Sequence, residues 1–180
     1  MLVIANHVTV LDGALVLYAL PGPLRRRLAV AMSGEMLLDF RAGRAQGSWW
    51  GNLLAPSAYW LLTALFNVFP LPRLQGFRRS FEHAGEAMDR GYSVLIFPEG
   101  TRSHGTAMAG FRPGIGLLAA QARVPVLPVA LVGLGTLTPR NWLRTGRLEV
   151  RLGEAITMPE TATPAEWTAM LEAEMRRLTQ

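Results

Sequence analysis

Two short segments of the chain carry side chains that can perform chemistry together. Residues 6–12 read Asn-His-Val-Thr-Val-Leu-Asp, so a histidine is followed by a carboxylate five residues later. Residues 97–103 read Phe-Pro-Glu-Gly-Thr-Arg-Ser, which offers a carboxylate, a glycine and an arginine. A histidine oriented by a carboxylate is a general base, and an arginine binds anions. These are most of the parts that acyl transfer to a phosphorylated alcohol requires.

The first segment predicts a base only if the chain turns between His7 and Asp12. Each helical residue advances about 100°, so residues five apart do not share one face of a continuous helix. The two side chains meet if Asp12 stands at the start of a helix and a turn precedes it. The alternative is that Asp12 merely caps that helix and His7 is an ordinary histidine at the end of a strand.

The second segment follows an apolar strand and predicts a site at the strand's end. Gly100 lets the backbone turn sharply and approach a ligand. Arg102 can bind phosphate with two parallel hydrogen bonds, and Glu99 can hold that arginine or contact the acceptor. The alternative is an ordinary polar turn with a surface ion pair.

Composition narrows the class of protein. The 180 residues are 50% hydrophobic, enough for one domain with a real core. The net charge is +5 and every cation is arginine, which suits an anionic partner. The chain has no cysteine, which excludes disulfides, thiolate metal sites and a cysteine nucleophile. With only three histidines we expect no metal site, and there is no Gly-x-Ser-x-Gly nucleophile motif.

Apolar runs and helical patterns alternate along the chain, which predicts an α/β fold: one domain with a mostly parallel central sheet flanked by helices. Strands are predicted at residues 2–5, 92–97, 124–132 and 147–152, and residues 28–32 form a further apolar run. Helices are predicted at 13–20, 80–90 and 113–123, and an amphipathic helix at 163–179 begins with the capping box Thr-Pro-Ala-Glu. The predicted buried face of that last helix comprises Trp167, Met170, Leu171, Met175 and Leu178.

Residues 45–72 form an apolar stretch without a charged side chain. Its apolar part, residues 53–71, is nearly as long as a spanning helix of about 20 residues, but Pro56, Asn67 and Pro70 interrupt it. We expect a helical insertion that lies in the membrane interface. A buried helical hairpin and a true membrane span are the alternatives.

Farther along, residues 114–119 resemble a loose dinucleotide-binding motif, but they follow Arg-Pro rather than a strand, so we expect close helix packing.

These blocks resemble the glycerolipid acyltransferase family, which includes glycerol-3-phosphate and 1-acylglycerol-3-phosphate acyltransferases. Residues 6–12 match the family's Asn-His-x4-Asp block, and residues 97–103 match its Phe-Pro-Glu-Gly-Thr-Arg-Ser block. Residues 124–129, Val-Pro-Val-Leu-Pro-Val, resemble its Val-Pro strand. The Gly-x-x-Phe-x-x-Arg block is represented only by residues 67–73, which lack the glycine. The resemblance extends over residues 2–155.

The resemblance implies roles for individual residues. His7 and Asp12 are expected to be catalytic. The acceptor is expected to contact Glu99, Gly100, Thr101, Arg102 and Arg73, with Arg78 or Arg79 as alternatives to Arg73. The implied reaction moves an acyl group from acyl-CoA or acyl carrier protein to a phosphorylated glycerol, with 1-acylglycerol-3-phosphate as the expected acceptor, without a further cofactor and without nucleic acid.

The resemblance also implies a place in phospholipid biosynthesis, at the cytoplasmic face of a bacterial-type inner membrane. Arginines 25–27, 78 and 79 would then meet anionic headgroups or a carrier protein, or form a solvated basic face. Alternatives are lysophospholipid remodelling, acylation of another lipid, or a catalytically idle lipid-binding module. Because a buried strand stands at the first residues, and the family usually has a helical segment before its histidine block, we expect the chain to be a fragment of a longer protein.

Overall fold

The structure is a computed structural model that describes residues 1–9, 11–33, 39, 41–44, 57, 60, 67–71, 77–102, 108–134 and 148–180. Its strands are β1 (Leu2–Ala5), β2 (Leu28–Ser33), β3 (Asn67–Leu71), β4 (Ser93–Ile96), β5 (Val126–Val132) and β6 (Glu149–Leu152). Its helices are α1 (Asp12–Ala19), α2 (Gly22–Arg26), α3 (Phe77–Asp89), α4 (Gly114–Ala122) and α5 (Pro164–Thr179). The described chain forms two compact units, one of Met1–Arg26 with Leu95–Gln180 and one of Arg27–Val94. The predicted single domain over 1–180 stays a prediction.

The first unit is built on two central strands that are apolar along their whole length. All four residues of β1 are fully buried, as expected for a strand covered on both faces. β1 pairs parallel with β5, from Leu2 opposite Val126 to Ala5 opposite Val129. β6 pairs antiparallel with the other side of β5. β2 and β3 of the second unit also pair parallel, which confirms the predicted α/β class with a mostly parallel sheet.

Helix α5 covers this unit and begins as its sequence predicts. The Thr163 hydroxyl accepts from the Glu166 amide, and the Glu166 carboxylate accepts from the Thr163 amide at 2.7 Å. Four members of the predicted face are buried: Trp167, Leu171, Met175 and Leu178. The prediction for Met170 is wrong, since its side chain is 45% exposed. At about 100° per residue, Met170 falls to one side of the stripe that the other four define.

Helix α4 packs closely on α5 because Gly116 has no side chain. A β-carbon at Gly116 would run into the carbonyl oxygen of Pro164 and the hydroxyl of Thr168. The Thr168 hydroxyl donates to the Pro164 carbonyl at 2.9 Å, which fixes it at this contact. Gly116 thus serves helix packing, as the sequence predicted for this segment.

The second unit shows that one end of the apolar segment is not helical. Residues 67–71 form β3, which pairs parallel with β2 from Asn67 opposite Ala29 to Leu71 opposite Ser33. The helical prediction is wrong there, because pairing with β2 satisfies the backbone of a short run that holds Val68 and Phe69. β3 is an edge strand, which tolerates Pro70. The rest of the predicted insertion, apart from residues 57 and 60, lies outside the described residues.

No helix within the described ranges combines the length and the apolarity that crossing a membrane requires.

Candidate active site

His7 and Asp12 meet at the end of β1, where the chain turns into α1. His7 Nδ1 lies 2.8 Å from Asp12 Oδ2. Asp12 is the first residue of α1 and is fully buried, so the turn that the spacing required is present. Because an ionised carboxylate only accepts hydrogen bonds, Nδ1 carries the proton and Nε2 keeps its lone pair. The described residues place no hydrogen-bond partner on Nε2.

The carboxylate of Asp12 organises the whole loop before the helix. It accepts from the Val8 amide at 2.6 Å, from the Thr9 amide at 2.9 Å and from the Thr9 hydroxyl at 2.6 Å. The N-cap of α1 is Leu11, which makes no side-chain capping bond. Asp12 therefore does more than cap a helix: its buried carboxylate binds residues 7–9 and fixes the position of the imidazole.

Asn6 anchors the start of this loop, a role that the sequence did not suggest. Its side-chain amide donates to the Leu131 carbonyl at 2.9 Å, and its side-chain oxygen accepts from the Leu131 amide at 2.7 Å. These two bonds imitate a pair of sheet hydrogen bonds and tie the end of β1 to β5. The sequence signalled Asn6 only by its position directly after a buried strand and by its place in the Asn-His-x4-Asp block.

The second segment supports His7 from two sides. The ring of Phe97 stacks on the imidazole, with ring centroids 4.4 Å apart and 25° between the planes. Glu99 is 3% exposed, and its Oε1 accepts from the His7 amide at 2.7 Å. Its Oε2 accepts from the Ala109 amide at 2.8 Å. In these contacts Glu99 holds the backbone of His7, while its predicted contact with the acceptor stays a prediction.

The turn after Glu99 needs a glycine. Gly100 has a φ of +72°, in the left-handed region that other residues seldom adopt, and its amide donates to the Phe97 carbonyl at 3.1 Å. Thr101 and Arg102 follow on the surface, where a ligand can reach them. Arg112, which the sequence did not single out, lies beside Gly100.

The loop that leads to α4 is held by α5. The Phe111 amide donates to Glu172 Oε2 at 2.9 Å, and Arg176 binds the same carboxylate at 2.6 Å. The Phe111 amide, and after it Arg176, hold the pKa of Glu172 below its usual value. A helix near the carboxyl end of the chain therefore helps to position the loop whose Ala109 amide binds Glu99.

The described site thus unites His7 and Asp12 with the segment that holds Glu99, Gly100, Thr101 and Arg102. Arg73 lies outside the described residues. Arg78 and Arg79 belong to α3 in the second unit. The side chain of His7 is 20% exposed, so an acceptor hydroxyl can reach the ring. The arrangement can remove a proton from that hydroxyl and stabilise the resulting imidazolium through Asp12.

Part of the chain is similar to known proteins. The sequence model of the Acyltransferase family matches residues 52–132. A 1-acyl-sn-glycerol-3-phosphate acyltransferase of Chlamydomonas reinhardtii is 37% identical over 81 residues, which cover 43% of this chain and 24% of that protein. The human 1-acyl-sn-glycerol-3-phosphate acyltransferase beta is 36% identical over 75 residues, or 40% of this chain and 27% of that protein. The chain thus matches about a quarter of the length of these relatives.

The fold has a solved counterpart. The crystal structure of PlsC, the 1-acyl-sn-glycerophosphate acyltransferase from Thermotoga maritima, superposes with a TM-score of 0.67. The superposition covers 98% of this chain and 63% of PlsC, at 21% sequence identity. The resemblance predicted from the sequence blocks is therefore confirmed: residues 52–132 are similar to the acyltransferase family.

Proposed function

We propose that the chain is an O-acyltransferase that moves a fatty acyl group from a thioester to a glycerophosphate-type acceptor, with 1-acylglycerol-3-phosphate preferred. One observation carries the proposal: the buried carboxylate of Asp12 holds His7 Nδ1 at 2.8 Å and leaves Nε2 available as a base. The names of the relatives support acylation of a 1-acylglycerol 3-phosphate. Acyl-CoA or acyl carrier protein is the proposed donor, and no other cofactor is required.

In the proposed reaction, His7 Nε2 takes the proton of the acceptor hydroxyl as the oxygen attacks the thioester carbonyl carbon. The carbonyl becomes a tetrahedral oxyanion, which collapses as the carbon–sulfur bond breaks. The thiolate leaves and receives the proton from His7, so the base is regenerated and no acyl-enzyme forms. General base catalysis supplies about 10²–10⁴-fold, and alignment of the hydroxyl with the thioester supplies much of the rest.

The test is release of thiol from acyl-CoA across a panel of acceptors: 1-acylglycerol-3-phosphate, glycerol 3-phosphate, a lysophospholipid and a monoacylglycerol. His7→Ala should reduce transfer by at least about 10²-fold. His83→Ala is the matched control, since it removes an exposed histidine of α3. A His7→Ala protein that acylates as fast as the His83→Ala protein would refute the assignment. The acceptor panel separates phosphatidate synthesis from lysophospholipid remodelling.

We also propose that the protein works at a membrane surface, on the cytoplasmic face of a bacterial-type inner membrane. The charge-free residues 45–72 support this, and Trp60 within them is 70% exposed. In vesicle flotation, Trp60→Asp should reduce binding, because aromatic side chains favour the membrane interface. Tyr18→Asp, which changes an exposed aromatic of α1, is the control. Equal flotation of the two variants would contradict a contact through this segment.

A further inference from the structure

Arg112 lies across the Gly100 turn, although no block of the sequence pointed to it. A β-carbon built on Gly100 would stand 3.0 Å from Arg112 Nε and 3.4 Å from its Cγ. The side chain therefore runs through the space that a glycine leaves open. Gly100 is the residue after Glu99, which binds the backbone of His7. Arg112 is thus linked to His7 through the Gly100 turn and the carboxylate of Glu99.

Three hydrogen bonds fix the backbone around Arg112. The Arg112 amide donates to the Pro98 carbonyl at 2.8 Å. The Ala109 amide binds Glu99 at 2.8 Å, and the Phe111 amide binds Glu172 at 2.9 Å. Because these bonds hold the backbone at Arg112, its side chain starts from a fixed point beside the Gly100 turn before any ligand arrives. Such preorganisation lowers the entropy lost on binding.

The charge of Arg112 is available to a ligand. Within the described part of the chain, neither Arg102 nor Arg112 has an ion-pair partner, and both are exposed. By contrast, Arg176 and Arg177 of α5 bind carboxylates at 2.6 Å. The turn between Glu99 and Arg102 is therefore bordered by two guanidinium groups that are free to bind an anion.

We propose that Arg112 binds the phosphate of the acceptor together with Arg102, and so makes the enzyme select phosphorylated over neutral alcohols. This rests on the proposed acyltransferase function. In a 1-acylglycerol-3-phosphate the free hydroxyl and the phosphate ester are on adjacent carbons. When His7 holds the hydroxyl, the phosphate must therefore lie nearby. The phosphates of acyl-CoA are separated from the thioester by a long pantetheine arm, so they would lie farther from the base.

The test compares Arg112→Gln with Arg90→Gln, which removes one exposed charge at the end of α3, and with Arg112→Lys. Arg112→Gln should raise the KM for 1-acylglycerol-3-phosphate by about tenfold, the lower end of the range for a bond to a charged group. Its kcat and its KM values for acyl-CoA and monoacylglycerol should not change. Arg112→Lys should recover part of the loss, and Arg90→Gln should behave as the parent protein.

Two kinetic results would overturn the proposal. A larger KM for acyl-CoA would assign Arg112 to the donor's phosphates. An equal fall in kcat for 1-acylglycerol-3-phosphate and for monoacylglycerol would mean that Arg112 only supports the conformation of the Gly100 turn. Calorimetric binding of 1-acylglycerol-3-phosphate without donor separates this proposal from the reaction itself. If the parent protein transfers no acyl group but Arg112→Gln still weakens that binding, the acyltransferase function fails and the phosphate site stands; unchanged binding refutes the site.

Discussion

Glu99→Gln is the sharpest test of how the two segments depend on each other. In the parent protein both carboxylate oxygens accept from backbone amides, one of His7 and one of Ala109, at 2.7 and 2.8 Å. Glutamine has nearly the same shape but only one oxygen. Its NH₂ group must therefore face one of the two amide donors, in a site where the parent side chain is 3% exposed.

The cost follows from these contacts. One hydrogen bond to a charged group, about 1.5–3 kcal/mol, is lost, and the other becomes a weaker neutral bond. One of these two part-buried amides also loses its carboxylate acceptor. We expect the free energy of unfolding to fall by about 3 kcal/mol. If the His7 amide loses its partner, the imidazole shifts, and a displacement of about 1 Å costs about 10²-fold in rate.

Urea unfolding and acyl-transfer rates measured on the same protein check both numbers. Glu160→Gln is the control, since Glu160 is exposed in the loop before α5. A lower midpoint with an unchanged m-value identifies loss of stability rather than a change in the unfolded state. If Glu99→Gln unfolds at the same urea concentration as Glu160→Gln and retains its rate, the hydrogen bonds of Glu99 are not what positions His7.

Other consequences of the structure can be measured in the same assays. Asp12→Asn should lower kcat by about 10⁴-fold, because an amide no longer fixes the tautomer of the base; a rate within tenfold of the parent would contradict that role. Gly116→Ala should destabilise the protein by about 1–3 kcal/mol, because its β-carbon meets the backbone of α5. Gly85→Ala in α3, where a β-carbon has open space, should instead stabilise by about 0.5–1 kcal/mol, and equal effects would refute the packing argument. The pKa of Glu172 is lowered from 4.5, so its contribution to stability is complete above pH 4.5 and is lost as the pH falls through the folded-state pKa. The stability difference between the parent and Glu172→Gln should therefore shrink below pH 4.5, and a constant difference would contradict the bond to Phe111.

Much of the fold was predictable because its signals are local. The apolar runs of β1, β4 and β5 and the capping box of α5 are read within a few residues. The contact between His7 and Asp12 could be predicted only conditionally. Residues five apart do not share one face of a helix, so the two side chains can meet only if the chain turns between them. The error at β3 is also local: a short apolar run fits a helix as well as a strand until its pairing with β2 is known.

The supports of the site were not predictable, because their partners are distant in sequence. Glu99 binds the amide of His7, 92 residues away, and Asn6 binds Leu131, 125 residues away. In both cases the partner is a backbone group, which every residue offers, so no residue type marks the contact. Arg112 was missed for a similar reason. Its place beside Gly100 depends on how residues 108–112 are bonded, not on a motif.

These distant bonds explain how residues 6–12 can act with the rest of the chain. The segment that matches the acyltransferase family runs from 52 to 132 and does not include His7 or Asp12. It does include Glu99 and Leu131, the two residues to which the first segment is tied. His7 is thus placed by one carboxylate and one strand of the matched segment, while Asp12 sets the tautomer of its ring locally. A substitution at Glu99 or Asn6 should therefore move the imidazole without altering its chemistry, whereas one at Asp12 should alter its chemistry even if the imidazole does not move.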